Sequence, residues 1–181
     1  MNVTPSLTRR KFFAASSAAA LSVGTAAKAA TSETATTTPT SEEMVYEVTR
    51  TEAEWLEHLD EFSYFIMRKG LTEEPKSSPL WMEFRPGTYH CKGCDLTSYD
   101  GKWKIILDKG WVFFDHSQPN AVLTGIDGPV PEYGQMADSG KTVTELHCRR
   151  CGSHLGHLLI INRVMTHCIN GAALNFIPLE A

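Results

Sequence analysis

Two Cys-x-x-Cys pairs, Cys91-Lys-Gly-Cys94 and Cys148-Arg-Arg-Cys151, constrain this chain most, and a fifth cysteine, Cys168, stands apart from them. Four thiolates in two such pairs are the usual makings of a closed tetrahedral zinc site. The gap from Cys94 to Cys148 is long for a zinc finger, so a metal there would clip two distant hairpins. Gly93 and Gly152 sit where a tight knuckle needs unusual backbone angles. Disulfides are the alternative reading. The two cysteines of one Cys-x-x-Cys are too close for relaxed bridging outside redox motifs, but pairing between motifs stays open. On the zinc reading, one thiol remains for chemistry.

The start of the chain reads as an address. Thr8-Arg9-Arg10-Lys11-Phe12-Phe13 precedes an Ala/Ser run to Ala27, and Ala27-Lys28-Ala29 is a small-x-small cleavage site. The paired arginines point to the twin-arginine route, and so to a periplasmic protein handled by that export machinery. The uncharged run is about 16 residues, short of the ~20 that a membrane anchor needs. No stable anchor is therefore expected after cleavage. Residues 30–43, rich in Thr, Ser and Ala, read as a flexible linker, and residues 44–181 as the folded domain. Removing Met1–Ala29 takes away Arg9, Arg10, Lys11 and Lys28 and no acid, so the formal charge falls from −4 to −8. Such a charge disfavours nucleic acid and anionic membranes as partners. Exported proteins usually pair their cysteines. A zinc site assembled before export of a folded chain is the consistent exception.

From Thr51 a helical pattern runs through Trp55, Leu56, Leu59, Phe62, Phe65 and Ile66, with Gly70 as the stop. Pro75 and Pro79 mark an irregular stretch. After Gly87 the strand formers take over, in Thr88–Tyr89, Trp103–Ile106, Val112–Phe114 and Thr142–Thr144. Turn clusters at Gly125–Pro131 and Asp138–Gly140 separate them. The expected fold is mainly β: small antiparallel sheets clipped by a four-cysteine zinc site, with helical decoration at the N-terminal side.

Cys168 lies in a strand-like run, where Thr166, Cys168 and Asn170 share a face. A buried cysteine is often an inert small hydrophobe, but Asn170 makes this face polar for a core. His154 and His157 lie just upstream. They are candidates for proton donation, with metal ligation and plain packing as alternatives.

Several segments together resemble the methionine-R-sulfoxide reductases. They are Pro86-Gly-Thr-Tyr-His-Cys91-x-x-Cys94, Asp108-Lys-Gly-Trp111, Thr144-Glu-Leu-His-Cys148-x-x-Cys151-Gly-Ser-His154-Leu-Gly-His157, and Cys168-Ile-Asn170-Gly-Ala-Ala-Leu174-Asn-Phe176. The resemblance implies structural zinc on Cys91, Cys94, Cys148 and Cys151 and a nucleophile at Cys168. It implies active-site roles for His154, His157 and Asn170, and a substrate contact for Trp111; Phe114 is added as a second aromatic substrate contact. The implied reaction is attack of a thiolate on the sulfoxide sulfur, leaving methionine and a cysteine sulfenic acid. The substrate would be oxidised methionine in proteins.

The chain also departs from the family pattern. Gly110-Trp-Val-Phe-Phe114 replaces Gly-Trp-Pro-Ser-Phe, Thr166 stands for the arginine two residues before the nucleophile, and Leu158-Leu-Ile-Ile161 lacks the usual acid. The segment between His157 and Cys168 is shorter than usual. Arg163, Arg149 or Arg150 are candidate replacement cations. Lys109 occupies the position of the resolving cysteine, so reduction would fall to an external thiol or thioredoxin-like donor. A binding module of the same fold, without turnover, is the rival reading.

Overall fold

The computed structural model describes residues 44–127 and 142–180. The proposed signal and linker, part of the first turn cluster and all of the second lie outside the described residues.

The helical pattern resolves into two short helices, α1 (Glu52–His58) and α2 (Glu61–Lys69). The break has a local cause. Asp60 caps α2 by accepting from the Ser63 N–H, so the backbone turns extended between the helices. Thr51 and Glu54 form a reciprocal capping box on α1, and Gly70 ends α2 at φ 70°. Trp55, Leu59, Tyr64, Ile66 and Met67 are buried, while Leu56, Phe62 and Phe65 remain exposed. The inward face is thus rotated relative to the one that the periodicity suggests.

The body is antiparallel β throughout the described residues. One sheet has three strands in the order β2 (Thr97–Asp100), β1 (Gly87–Cys91), β9 (Leu174–Pro178). The other has six, in the order β3 (Lys104–Ile105), β4 (Val112–Phe114), β8 (Val164–Ile169), β7 (His154–Ile161), β6 (Val143–Cys148), β5 (Val122–Asp127). One face of the large sheet carries Val112, Phe114, Ile169, Leu146 and Leu155 into the shared core. There Phe114 stacks on Tyr99 at 4.3 Å and meets Tyr89 edge-on at 5.1 Å. The opposite face positions the site.

The short connection between His157 and Cys168 is a two-residue hairpin. Ile161 pairs with Val164, and Asn162 and Arg163 both take positive φ, at 52° and 67°. That is the turn whose twist suits a β-hairpin. It also places Arg163 at the tip, five residues along the chain from Cys168, or about 16 Å at the usual strand rise.

No helix among the described residues is long and apolar enough to cross a membrane.

Candidate active site and zinc centre

The zinc centre joins the two sheets. Cys91 and Cys94 flank the turn after β1, and Cys148 and Cys151 the turn between β6 and β7. Their four sulfurs lie within 4.8 Å of one another, with Cys91 to Cys151 at 3.7 Å and Cys94 to Cys148 at 3.5 Å. A tetrahedral ion with Zn–S of about 2.3 Å spaces its sulfurs about 3.8 Å apart, so the cage fits. None of the five cysteines is in a disulfide. Crowding of the four thiols drives Cys94 up, first through Cys148, and Cys151 down, again first through Cys148. A dication resolves that competition by holding all four as thiolates.

Such a centre carries net negative charge, and the chain surrounds it with cations. Arg50 donates to the Gly93 carbonyl at 3.1 Å, Arg150 to the Cys94 carbonyl at 3.2 Å and Arg68 to the Cys151 carbonyl at 3.2 Å. Arg149 pairs with Glu47 and donates to the Asn120 carbonyl. Arg149 and Arg150 are therefore occupied around the zinc knuckles, and Arg163 sits at the hairpin tip. None of the three replaces the arginine that Thr166 displaces. The two knuckle glycines differ in cause. Gly152 needs φ +67°, and a Cβ there would lie 2.5 Å from the Tyr46 ring. At Gly93 the constraint is space, because a Cβ would crowd Ser153 Oγ at 3.1 Å; the positive φ of that turn falls on Asp95.

On the other face of the large sheet, one row of paired residues crosses all six strands. It runs Ile105, Phe113, Cys168, His157, Glu145, Gly125. Paired residues on adjacent antiparallel strands project to the same side. Cys168 is therefore flanked by Phe113 and His157. By alternation along β5, Asp127 shares the side of Gly125. Gly125 also leaves room: a Cβ there would stand 3.1 Å from Glu145 Oε2.

His154 and His157 are three residues apart, which in a regular strand sends them to opposite faces. The register between β6 and β7 shifts at Leu146/His147, a bulge that puts an extra residue into β7. The bulge brings both imidazoles to one side, with ring centroids 5.0 Å apart. His154 Nδ1 meets Glu145 Oε1 at 2.7 Å, and His157 Nε2 meets Asp127 Oδ2 at 2.9 Å. The hydrogen bond from His154 holds Glu145 below the usual carboxylate range. Burial pushes His157 below the ordinary histidine value, partly offset by Asp127. Gly156 allows the close packing of β7 on β8, since a Cβ there would lie 2.0 Å from the Cys168 carbonyl oxygen.

Asn170 and Trp111 are tied to one residue that the sequence did not single out, Glu73. The Glu73 amide donates to Asn170 Oδ1 at 3.0 Å, and Trp111 Nε1 donates to the Glu73 carbonyl at 3.0 Å. The Glu73 carboxylate accepts from the Gly171 N–H at 2.6 Å and the Ala172 N–H at 2.9 Å. Asn170 Nδ2 in turn donates to the Leu155 carbonyl at 3.2 Å. Burial raises the Glu73 pKa against those two amide bonds.

Of the residues expected at the site, the structure brings together Cys168, His154 and His157 on β7 and β8, and links Asn170 to Trp111 through Glu73. Phe114 is the exception. It lies fully buried in the core on the far face of the sheet, away from Cys168, and Phe113, its neighbour of opposite parity, is the aromatic residue paired with Cys168. Glu145 and Asp127 supply carboxylates from β6 and β5, where the segment after His157 has none. Sequence reasoning passed over both, because strand pairing across long separations brings them in. The one local signal is Glu145, which stands three residues before Cys148 in the sequence.

Residues 59–178 match the family model of the SelR domain. The "Peptide methionine sulfoxide reductase MsrB" of Cellvibrio japonicus is 35% identical over 127 residues, 68% of this chain and 84% of that protein. The protein of the same name from Agrobacterium fabrum is 32% identical over 135 residues, 72% of this chain and 93% of that protein. "Peptide methionine sulfoxide reductase 2" of Saccharomyces cerevisiae is 28% identical, across 68% of this chain and 74% of its own length. With these matches, a four-cysteine cage between two antiparallel sheets and a fifth cysteine beside two histidines, the chain belongs to the SelR-domain family of methionine-R-sulfoxide reductases.

Proposed function

We propose that the chain reduces methionine-R-sulfoxide in oxidised proteins, with Cys168 as nucleophile. The observation that carries this is the sheet row that seats Cys168 between His157 and Phe113. The Cys168 thiolate attacks the sulfoxide sulfur. The sulfur–oxygen bond breaks as the oxygen gains protons and leaves as water, for which His154 and His157 are the positioned donors; that water adds to the Cys168 sulfur, breaks the sulfur–sulfur bond to methionine and returns a proton. Methionine leaves, and Cys168 becomes a sulfenic acid. Two equivalents of external thiol then return the sulfenic acid to thiol, giving disulfide and water. Trp111 and Phe113 form the apolar side that holds the substrate methyl group.

Zinc on Cys91, Cys94, Cys148 and Cys151 supplies no chemistry to this reaction; it pins the turns that hold the two sheets together. With those four thiols committed and Lys109 at the resolving position, the electron donor is external, a small thiol or a thioredoxin-like protein. The paired arginines Arg9 and Arg10 support export by the twin-arginine route and a periplasmic site of action. Arg9→Lys with Arg10→Lys tests that address. It should retain the precursor in the cytoplasm, and unchanged export would refute it.

One equivalent of R-sulfoxide, added without reductant, tests the chemical step. It should leave a dimedone-reactive sulfenic acid on Cys168 and all four zinc thiolates intact. A disulfide between Cys168 and a zinc-cage cysteine, with zinc release, would overturn the single-thiol scheme.

A further inference from the structure

We propose that Asp127, His154 and His157 form a second, exchangeable site for a borderline divalent metal ion such as Zn2+ or Co2+, and that filling it blocks the Cys168 centre.

The donor atoms of these three residues lie within 4.8 Å of one another, brought onto one sheet face from β5 and β7. Two imidazoles and a carboxylate are the donor set of open, three-ligand metal sites. The set is also oriented from outside. Glu145 takes the His154 Nδ1–H at 2.7 Å, which leaves the Nε2 lone pair for a ligand. A carboxylate behind a histidine is the usual outer support of a metal-binding imidazole. His154 Nε2 is the second, independent observation. It is buried in a side chain only 3% exposed and has no hydrogen-bond partner among the described residues. A buried nitrogen left in that state calls for a ligand.

The geometry needs little adjustment. His157 Nε2 and Asp127 Oδ2, now 2.9 Å apart, would open to about 3.3 Å around an ion with ligand bonds of about 2.0–2.2 Å. The Asp127 side chain, 35% exposed, gives the ion a way in from solvent. Binding displaces the proton that His157 and Asp127 share and occupies the His154 lone pair. Neither imidazole is then able to serve the sulfoxide oxygen. Metal binding stands without the reductase reading; only the block of turnover rests on it.

The test uses full-length mature protein with its four-cysteine site filled, one zinc per chain, in the absence of substrate. Titrated Co2+ should bind as one further equivalent, with visible d–d bands but no sulfur-to-cobalt charge-transfer band in the near ultraviolet. Asp127→Asn and His154→Asn should each abolish that equivalent at equimolar Co2+ while keeping the zinc. Glu145→Gln should weaken it by about 10–100-fold. If His154→Asn does not fold, the partly exposed Asp127→Asn carries the test alone. No second equivalent in the wild type, or unchanged binding in Asp127→Asn, overturns the site. The same Co2+ range should suppress sulfoxide reduction in step with the d–d bands, and unchanged turnover with the ion bound overturns the block. Failure of the reductase reading would show instead as no turnover before any Co2+ is added.

Discussion

The backbone N–H of Glu73 donates to Oδ1 of Asn170 at 3.0 Å, while the Glu73 carboxylate caps the two amides that follow Asn170. One buried residue in the loop after α2 therefore fixes the turn just after the strand that carries Cys168 and, through its carbonyl, the Trp111 ring. Glu73 is a positioning residue.

Glu73→Gln should separate its two effects. The amide presents a donor where the carboxylate accepted two, so one of the Gly171 and Ala172 N–H groups loses its partner. The expected cost is about 1–3 kcal/mol of stability. Displacement of Asn170 and Trp111 should lower kcat about 10–100-fold with zinc content unchanged. Loss of melting temperature with kcat intact would mean that Glu73 only braces the fold.

Phe113 and Phe114 should answer differently. Phe114 stacks on Tyr99 in the core, so Phe114→Ala should cost about 3–5 kcal/mol, read by chemical denaturation. Phe113→Leu keeps most of the volume and should leave stability within about 1.5 kcal/mol. It should raise KM for methionine-R-sulfoxide, because Phe113 lines the Cys168 side. The reverse pattern would restore Phe114 to the site.

Removing the zinc should unfold the domain. The cage joins the β1–β2 and β6–β7 turns, and four thiolates this close together need the ion to offset their mutual repulsion. Chelation or Cys148→Ser should collapse the near-ultraviolet circular dichroism and, with it, the turnover. A folded, active, metal-free chain would show that the sheets hold without the clip.

Acid should weaken the fold in the histidine range. Burial is the leading cause that holds His147, His157 and His167 below the ordinary value. A group with a depressed folded pKa binds fewer protons folded than unfolded. Its stabilising share is full above the unfolded pKa, about 6.5, and is lost as pH falls from there toward the folded value. The melting temperature of zinc-loaded protein should therefore fall between about pH 7.5 and 5.5, with zinc counted at each step. A flat or rising profile with zinc retained would contradict buried neutral histidines.

Much of this was legible in the sequence, and what was missed has identifiable causes. The Cys-x-x-Cys pairs fix the zinc cage because their chemistry is carried by spacing alone. Cys168 and the histidines are legible as types. The bulge that turns His154 and His157 to one side is not, because it is a property of the pairing between β6 and β7 rather than of either segment. The same holds for Glu145 and Asp127. The Phe113/Phe114 exchange is a one-residue parity choice in a run of apolar residues, Val112 to Phe114, buried on both faces, where alternation gives no guide. The helix break at Asp60 was signalled by a capping residue inside an otherwise continuous pattern.

Reduction of one sulfoxide epimer by Cys168 is read by supplying resolved R and S epimers of a methionine sulfoxide peptide, with dithiothreitol as reductant, to wild type and Cys168→Ser. Wild type should convert the R epimer and leave the S epimer untouched, and Cys168→Ser should convert neither while keeping its zinc and melting temperature. Turnover of both epimers alike, or R turnover that survives Cys168→Ser, would contradict the account.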